Sequence, residues 1–122
     1  MKLKAKFKKA NQVIGRLLAL PDNVVKPPKI FKLNRLGDTL ASACEGNIWM
    51  NPDIPYGEIE KIMCHEFVHL DQMATGRLRF NSTGFIWCGN FYHMNSLAYY
   101  DQPWEIEAYR IGPELQEELK YV

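Results

Sequence analysis

No run of this chain approaches the roughly 18 apolar residues that a membrane-spanning helix needs, so a protein that crosses a membrane is not expected. Cysteine is scarce as well. Cys44, Cys64 and Cys88 are an odd number without a paired spacing, which argues against a disulfide scaffold and for reduced thiols in the cytoplasm. A secretory leader is not expected either: "MKLKAKFKKANQVIGRLLAL" places lysines ahead of apolar residues, but Gly15 and Arg16 interrupt the apolar part and no small-residue cleavage site follows. Internal repeats and low-complexity tracts are missing. A length of 122 residues is too short for two cores, which leaves one domain spanning residues 1–122, expected as a monomer.

A strong excess of either charge is also missing, since the net charge is +1. That total conceals an asymmetry. Residues 1–36 carry ten Lys and Arg against Asp22 alone, a balance of +9, while residues 37–122 carry five against thirteen acids, a balance of −8. A solvated basic face neutralised by the acidic half is the favoured reading, and nucleic acid is a possible but less favoured partner. Apolar residues at 47% and charged residues at 24% give the balance of a soluble globular protein.

Periodicity supplies a coarse map. Leu3, Phe7, Ala10, Ile14 and Leu17 recur at spacings of three and four, the stripe of an amphipathic helix that should stop at Pro21. "VVKPPKIFKLNRLGD" opens with a Pro-Pro linker, leads into the β-type run "KIFKL" and turns at Gly37-Asp38. "TLASACEGNIWMNPD" reads as further strand interrupted at Gly46-Asn47, for two or three strands in all. From Pro55 to Gly76 the helical pattern returns through Ile59, Ile62, Met63, Phe67, Leu70 and Met73, with Gly76 as the stop. "RLRFNSTGFIWCGNFYHM" suggests a hairpin or irregular loop around "NSTG", and "DQPWEIEAYRIGPELQEELK" a helix broken or restarted at Gly112-Pro113. The fold class is α+β.

The second helix contains "MCHEFVHLDQ", residues 63–72. Residues four apart on a helix differ by about 40° around the axis and about 6 Å along it, so His65 and His69 can aim their imidazoles at one point. A catalytic zinc ion takes three protein ligands at roughly 2.0–2.2 Å and keeps a further position for water, whose pKa it lowers to about 7. Glu66, beside the first histidine, is placed to act as general base. A polar stripe on an ordinary helix is the alternative. The flanking apolar residues weigh against it, because buried polar groups need a partner and a metal supplies one. Cys64 cannot form a nucleophilic pair with His65, since neighbours on a helix diverge by about 100°, and is read as a buried thiol.

A third ligand must come from another segment. A histidine six residues after His69 is excluded, because that position is Thr75, and the glycine such a pattern needs is replaced by Gln72. The metzincin pattern is therefore absent. Glu105, Glu107 and His93 are the candidates. Glu105 lies one turn into the last helix, with Ala108 as a small residue that lets this helix approach the histidine helix. Glu107, about 200° further round, should face away. The ordinary role of an acid there is a capping-box partner for Gln102 or a surface charge. Tyr92, Tyr99, Tyr100 and His93 fall between the two helices, where a donor to a developing oxyanion is needed, although aromatics there more often pack a hairpin or core. Trp49, Trp87 and Trp104 are read as core or cleft-wall residues.

"HEFVH" together with "PWEIEAY" resembles the gluzincin zinc metallopeptidases, and the short chain resembles the minigluzincins and similar small HExxH proteins often encoded by bacteriophages. The likeness covers roughly residues 30–112. It implies a short twisted β-sheet packed against the HExxH helix, between an N-terminal amphipathic helix and a C-terminal ligand-bearing helix. It also implies zinc as cofactor, His65, His69 and Glu105 as ligands, Glu66 as base, and a peptide or protein substrate. In that family a strand beside the active helix takes up extended peptide along its edge, and "NIWMN", residues 47–51, stands in its place. The family often carries an aspartate four residues after the glutamate ligand. Here that residue is Tyr109, so the carboxylate that orients a histidine is missing or comes from elsewhere. A weaker resemblance is to the SprT-like DNA-associated metalloproteases, in which His93 would be the third ligand. A protein that keeps zinc only as a structural staple, binding or inhibiting a partner, is the non-enzymatic alternative.

Overall fold

A computed structural model describes residues 8–10, 12, 14, 29–30, 41–44, 47–51 and 54–120. Expectations for Pro21, Gly37-Asp38 and most of "KIFKL" lie outside those residues. Near the N-terminus the described positions are helical (α1), and Ala10 and Ile14 are buried in the core as the three-four spacing requires.

The first sheet joins β1 (Lys29–Ile30), β2 (Ala41–Cys44) and β3 (Asn47–Met50) in the order β1-β3-β2. β2 and β3 pair antiparallel, with Ala41 opposite Met50 and Cys44 opposite Asn47. β1 joins the other side of β3 in parallel, Lys29 opposite Trp49. This corrects the place expected for "NIWMN". Among the described residues β3 is the central strand, with both edges paired, so the outer edges belong to β1 and β2.

Helix α2 (Ile59–Ala74) packs across β2 and β3 and buries Met63, Cys64, Phe67, Val68 and Leu70 in the core shared with Ile48, Met50 and Ile54. It ends where the sequence places the stop: Gly76 takes φ +76°, a conformation with no steric cost only for glycine, and its N–H bonds Met73 O.

Three strands follow: β4 (Leu78–Asn81), β5 (Gly84–Trp87) and β6 (Asn90–His93), an antiparallel meander. The hairpin expected around "NSTG" is the first turn, held by Asn81 Oδ1, which accepts from the N–H groups of Thr83 and Gly84. The second turn, Cys88-Gly89, has positive φ at both residues (50° and 85°). Asn-Gly or Asp-Gly would have announced it; Cys-Gly does not.

Helix α3 (Pro103–Leu119) starts with Pro at its first position and runs through Pro113 without the break expected at Gly112-Pro113. The physical reason is its buried stripe. Trp104, Glu105, Ala108, Gly112, Leu115 and Leu119 recur at helical spacing on both sides of the proline, and their packing outweighs the lost backbone hydrogen bond. Among the described residues no helix is long and apolar enough to cross a membrane.

Candidate metal centre

The stripe that holds α3 against α2 also decides which α3 side chains meet the histidines. At Gly112 a Cβ would stand 3.4 Å from His65 Cα, so the two helices cross closely there. Ala108 and Glu105 lie one and two turns earlier on that stripe and face the same helix. Along α2, Ile62, His65, Glu66, His69 and Met73 form a matching stripe on the wall of a cavity of about 640 Å³.

His65, His69 and Glu105 converge at the base of that cavity, with one ligand atom of each within 4.8 Å of the others. His65 Nε2 lies 2.9 Å from Glu105 Oε1. His69 Nε2 lies 3.2 Å from Oε1 and 3.1 Å from Oε2. Tyr99 O–H donates to Oε1 at 2.8 Å. Burial alone would raise the Glu105 carboxyl; the hydrogen bonds from His65 and His69, with the charge of His69 and the Tyr99 hydroxyl, outweigh it and hold the group down at about 2. Burial likewise opposes charge on His69, and the Glu105 hydrogen bond with the nearby Glu66 charge turns the balance, so its pKa is raised. The Tyr99 phenol is pushed above the ordinary tyrosine value, first by burial and then by its bonds to Tyr109 and Glu105.

This donor set fits a divalent cation. Tetrahedral zinc with ligands at about 2.05 Å needs donor atoms about 3.3 Å apart; the two imidazole–carboxylate pairs stand 2.9 and 3.2 Å apart, and all three donors lie within 4.8 Å of one another. Two imidazoles and one carboxylate are the ligand types that zinc takes. The cluster could therefore hold a metal ion, as the residue pattern led us to expect.

Glu66 lines the same cavity and is only 5% exposed, yet among the described residues its Oε2 has no hydrogen-bond partner. Burial pushes its carboxyl up, the charges of His69 and His65 pull it down, and Glu105 pushes it up again. A buried carboxylate oxygen without a partner is costly and is found where a ligand or reactant completes it.

The other two ligand candidates lie elsewhere. His93 is exposed at the end of β6, where its Nδ1–H donates to Met94 O at 2.8 Å. Glu107 lies outside the three-residue cluster and does not face away, contrary to the helical-wheel expectation. It is half-buried and accepts hydrogen bonds from Gln72 Nε2 (3.2 Å) and from Arg77. Glu107 lies one turn from Trp104 on the flank of the buried stripe, so the angle measured from Glu105 misplaces it. Gln102 caps α3 without a side-chain bond, which removes the capping-box role.

Sequence reasoning missed Gln72. It is fully buried, its Oε1 stands 2.8 Å from His69 Nδ1, and its Nε2 donates to Trp104 O at 2.9 Å. A signal was present: Gln72 is three residues after His69 on one helix, the spacing at which side chains meet. Beyond it, Arg77 bridges Glu107 and Asp71 and lies 5.6 Å over the Trp87 ring. Trp104 forms part of the cavity wall, packed by Phe85, Trp87 and Tyr92 of the meander. Tyr109, where the family pattern has an acid, stacks edge-on against His65 at 4.5 Å. Cys64 is buried, as expected, and burial with the charge of Glu60 pushes its thiol up to about 12. Comparison with protein-family models, curated proteins and solved structures finds no match.

Proposed function

We propose that the protein is a small zinc-dependent peptidase of the gluzincin type, with His65, His69 and Glu105 as ligands and Glu66 as general base. The observation that supports it most is the meeting, in one cavity, of the three-residue cluster and Glu66 Oε2, which has no hydrogen-bond partner among the described residues. A bound zinc ion would act there as a Lewis acid, polarising the scissile carbonyl and making water more acidic. Glu66 takes the proton from the attacking water and passes it to the leaving amine. Its buried position keeps it basic and in place. Tyr99 O–H, on the cavity wall, is the nearest hydroxyl donor to the ligand carboxylate and the best-placed candidate for stabilising negative charge on the substrate oxygen.

The substrate is read as an extended peptide segment. Of the two outer strands among the described residues, β2 is the one that borders the cavity, through Ala41 and Ala43, so a peptide can add to it by main-chain hydrogen bonds. Small side chains on that strand leave room for the peptide's own. Apolar walls from Ile62, Met73, Leu78, Phe80 and Phe85 favour apolar residues beside the cleaved bond.

Glu66→Gln tests the mechanism, because the amide is nearly isosteric but cannot accept the proton. The variant is expected to bind zinc like the wild type and to lose hydrolysis of a peptide library by at least about 100-fold, the scale of general-base catalysis. Equal cleavage by wild type and variant overturns the mechanism. Zinc binding without cleavage by the wild type supports the structural-staple alternative.

A further inference from the structure

We propose that Gln72 is a positioning residue of the metal centre, fixing His69 with its proton on Nδ1 so that Nε2 is the nitrogen offered to the ion. The inference rests on reading His65, His69 and Glu105 as metal ligands and does not depend on peptide hydrolysis. Three contacts determine the amide's orientation. Nε2 of Gln72 donates to the main-chain carbonyl of Trp104 and to Glu107 Oε1, so Oε1 of Gln72 is left facing His69 Nδ1 at 2.8 Å. The flipped amide would set its oxygen against two acceptors. Bulk solvent does not reach the amide, because Gln72 is 0% exposed.

Facing a carbonyl oxygen, His69 Nδ1 must be the donor, and Nε2 then points to Glu105. Free imidazole has no such restriction and exchanges its proton between the two nitrogens. The acceptor role of Glu107 is itself anchored. Arg77 donates to the same Oε1 and to Asp71 Oδ2, tying the end of α2, the start of β4 and the first turns of α3 into one chain of bonds. In a metal site such an outer partner orients the ring and typically changes metal affinity 10- to 100-fold. The amide of Gln72 therefore orients His69, while Tyr109, at the position of the family's acid, packs against His65 instead.

The test uses the full chain and Zn²⁺ itself. Zinc affinity is measured by competition with a chromogenic chelator, and the ring proton of His69 is followed by nitrogen-15 NMR of the zinc-loaded protein. In the wild type the Nδ1–H of His69 is expected to be visible and slow to exchange, with Nε2 bound to zinc. Gln72→Met, similar in length but without an acceptor for that proton, is expected to lose the protected signal and to bind zinc 10- to 100-fold more weakly. Should that variant not fold, Glu107→Ala cuts only one anchor of the amide and is expected to keep zinc while speeding exchange of the same proton. Coordination through Nδ1, or an unprotected ring proton in the wild type, overturns the inference. So does a Gln72→Met protein whose metal-free stability falls while its zinc affinity does not, because Gln72 would then only fasten two helices. Protected Nδ1–H and weakened zinc binding without any peptide hydrolysis support this inference and overturn the peptidase reading alone. A wild type that binds no zinc overturns both.

Discussion

At the scale of single residues, the centre is a set of polar groups that burial makes expensive and that only mutual contact makes tolerable. Glu105 takes three hydrogen bonds on one oxygen, and removing it leaves the buried His69 and the half-buried His65 without that acceptor. Glu105→Ala is expected to lose most bound zinc in metal analysis of the folded protein, while His93→Ala, at an exposed strand end, retains it. The opposite pattern would move the site to the SprT-like arrangement. The same carboxyl predicts an acid limit for the metal-free protein. Its folded pKa of about 2 lies below the ordinary 4.5, so its stabilisation is complete above about pH 4.5 and is lost as pH falls toward 2. Denaturant midpoints of chelator-treated protein should therefore fall through that window, and Glu105→Gln should flatten this slope. An unchanged slope in the variant would show that other carboxyls govern it.

At the scale of elements, α2, α3, strand β2 and the β4–β5 hairpin make the cleft. The contact between α2 and α3 is close because Gly112 brings no side chain to it. Adding a Cβ there meets His65 at ordinary van der Waals distance, 3.4 Å to Cα and 3.5 Å to N. Gly112→Ala should thus leave zinc affinity intact and add up to roughly 1 kcal/mol of stability through helix propensity. Gly112→Leu should cost about 1–3 kcal/mol by overpacking and, by pushing the helices apart, weaken zinc binding. Thermal denaturation and chelator competition on the pair check both. Equal zinc affinity in the two variants would show that the crossing does not set ligand spacing.

At the scale of the whole molecule, zinc would join α2, near the middle of the chain, to α3, near its C-terminus, and so fasten segments far apart in sequence. An ion that binds only the folded state adds its binding free energy to folding, about 4 kcal/mol at a concentration 1,000 times Kd. For a domain of this size that corresponds to a loss on the order of 10 °C in Tm on removing the metal. Calorimetry before and after dialysis against a chelator measures it, with recovery on adding Zn²⁺. No change in Tm would remove the metal from the account of this fold.

What the sequence by itself determined is everything that depends on spacing within one element. The i, i+4 placement of His65 and His69 and the helical stripe of α2 follow from 3.6 residues per turn, and the stop at Gly76 from glycine's tolerance of positive φ. Tertiary structure alone decided what depends on pairing between elements. Among the described strands β3 took the centre of its sheet and left the outer edges to β1 and β2, a choice that alternation within one strand does not encode. Continuity of α3 through Pro113 depended on what its buried stripe packs against. The grip of Gln72 on His69 required Trp104 and Glu107, which reach it from a helix more than thirty residues away. Local periodicity places a side chain on a face of its own helix; only the packing of a second helix says what that face meets.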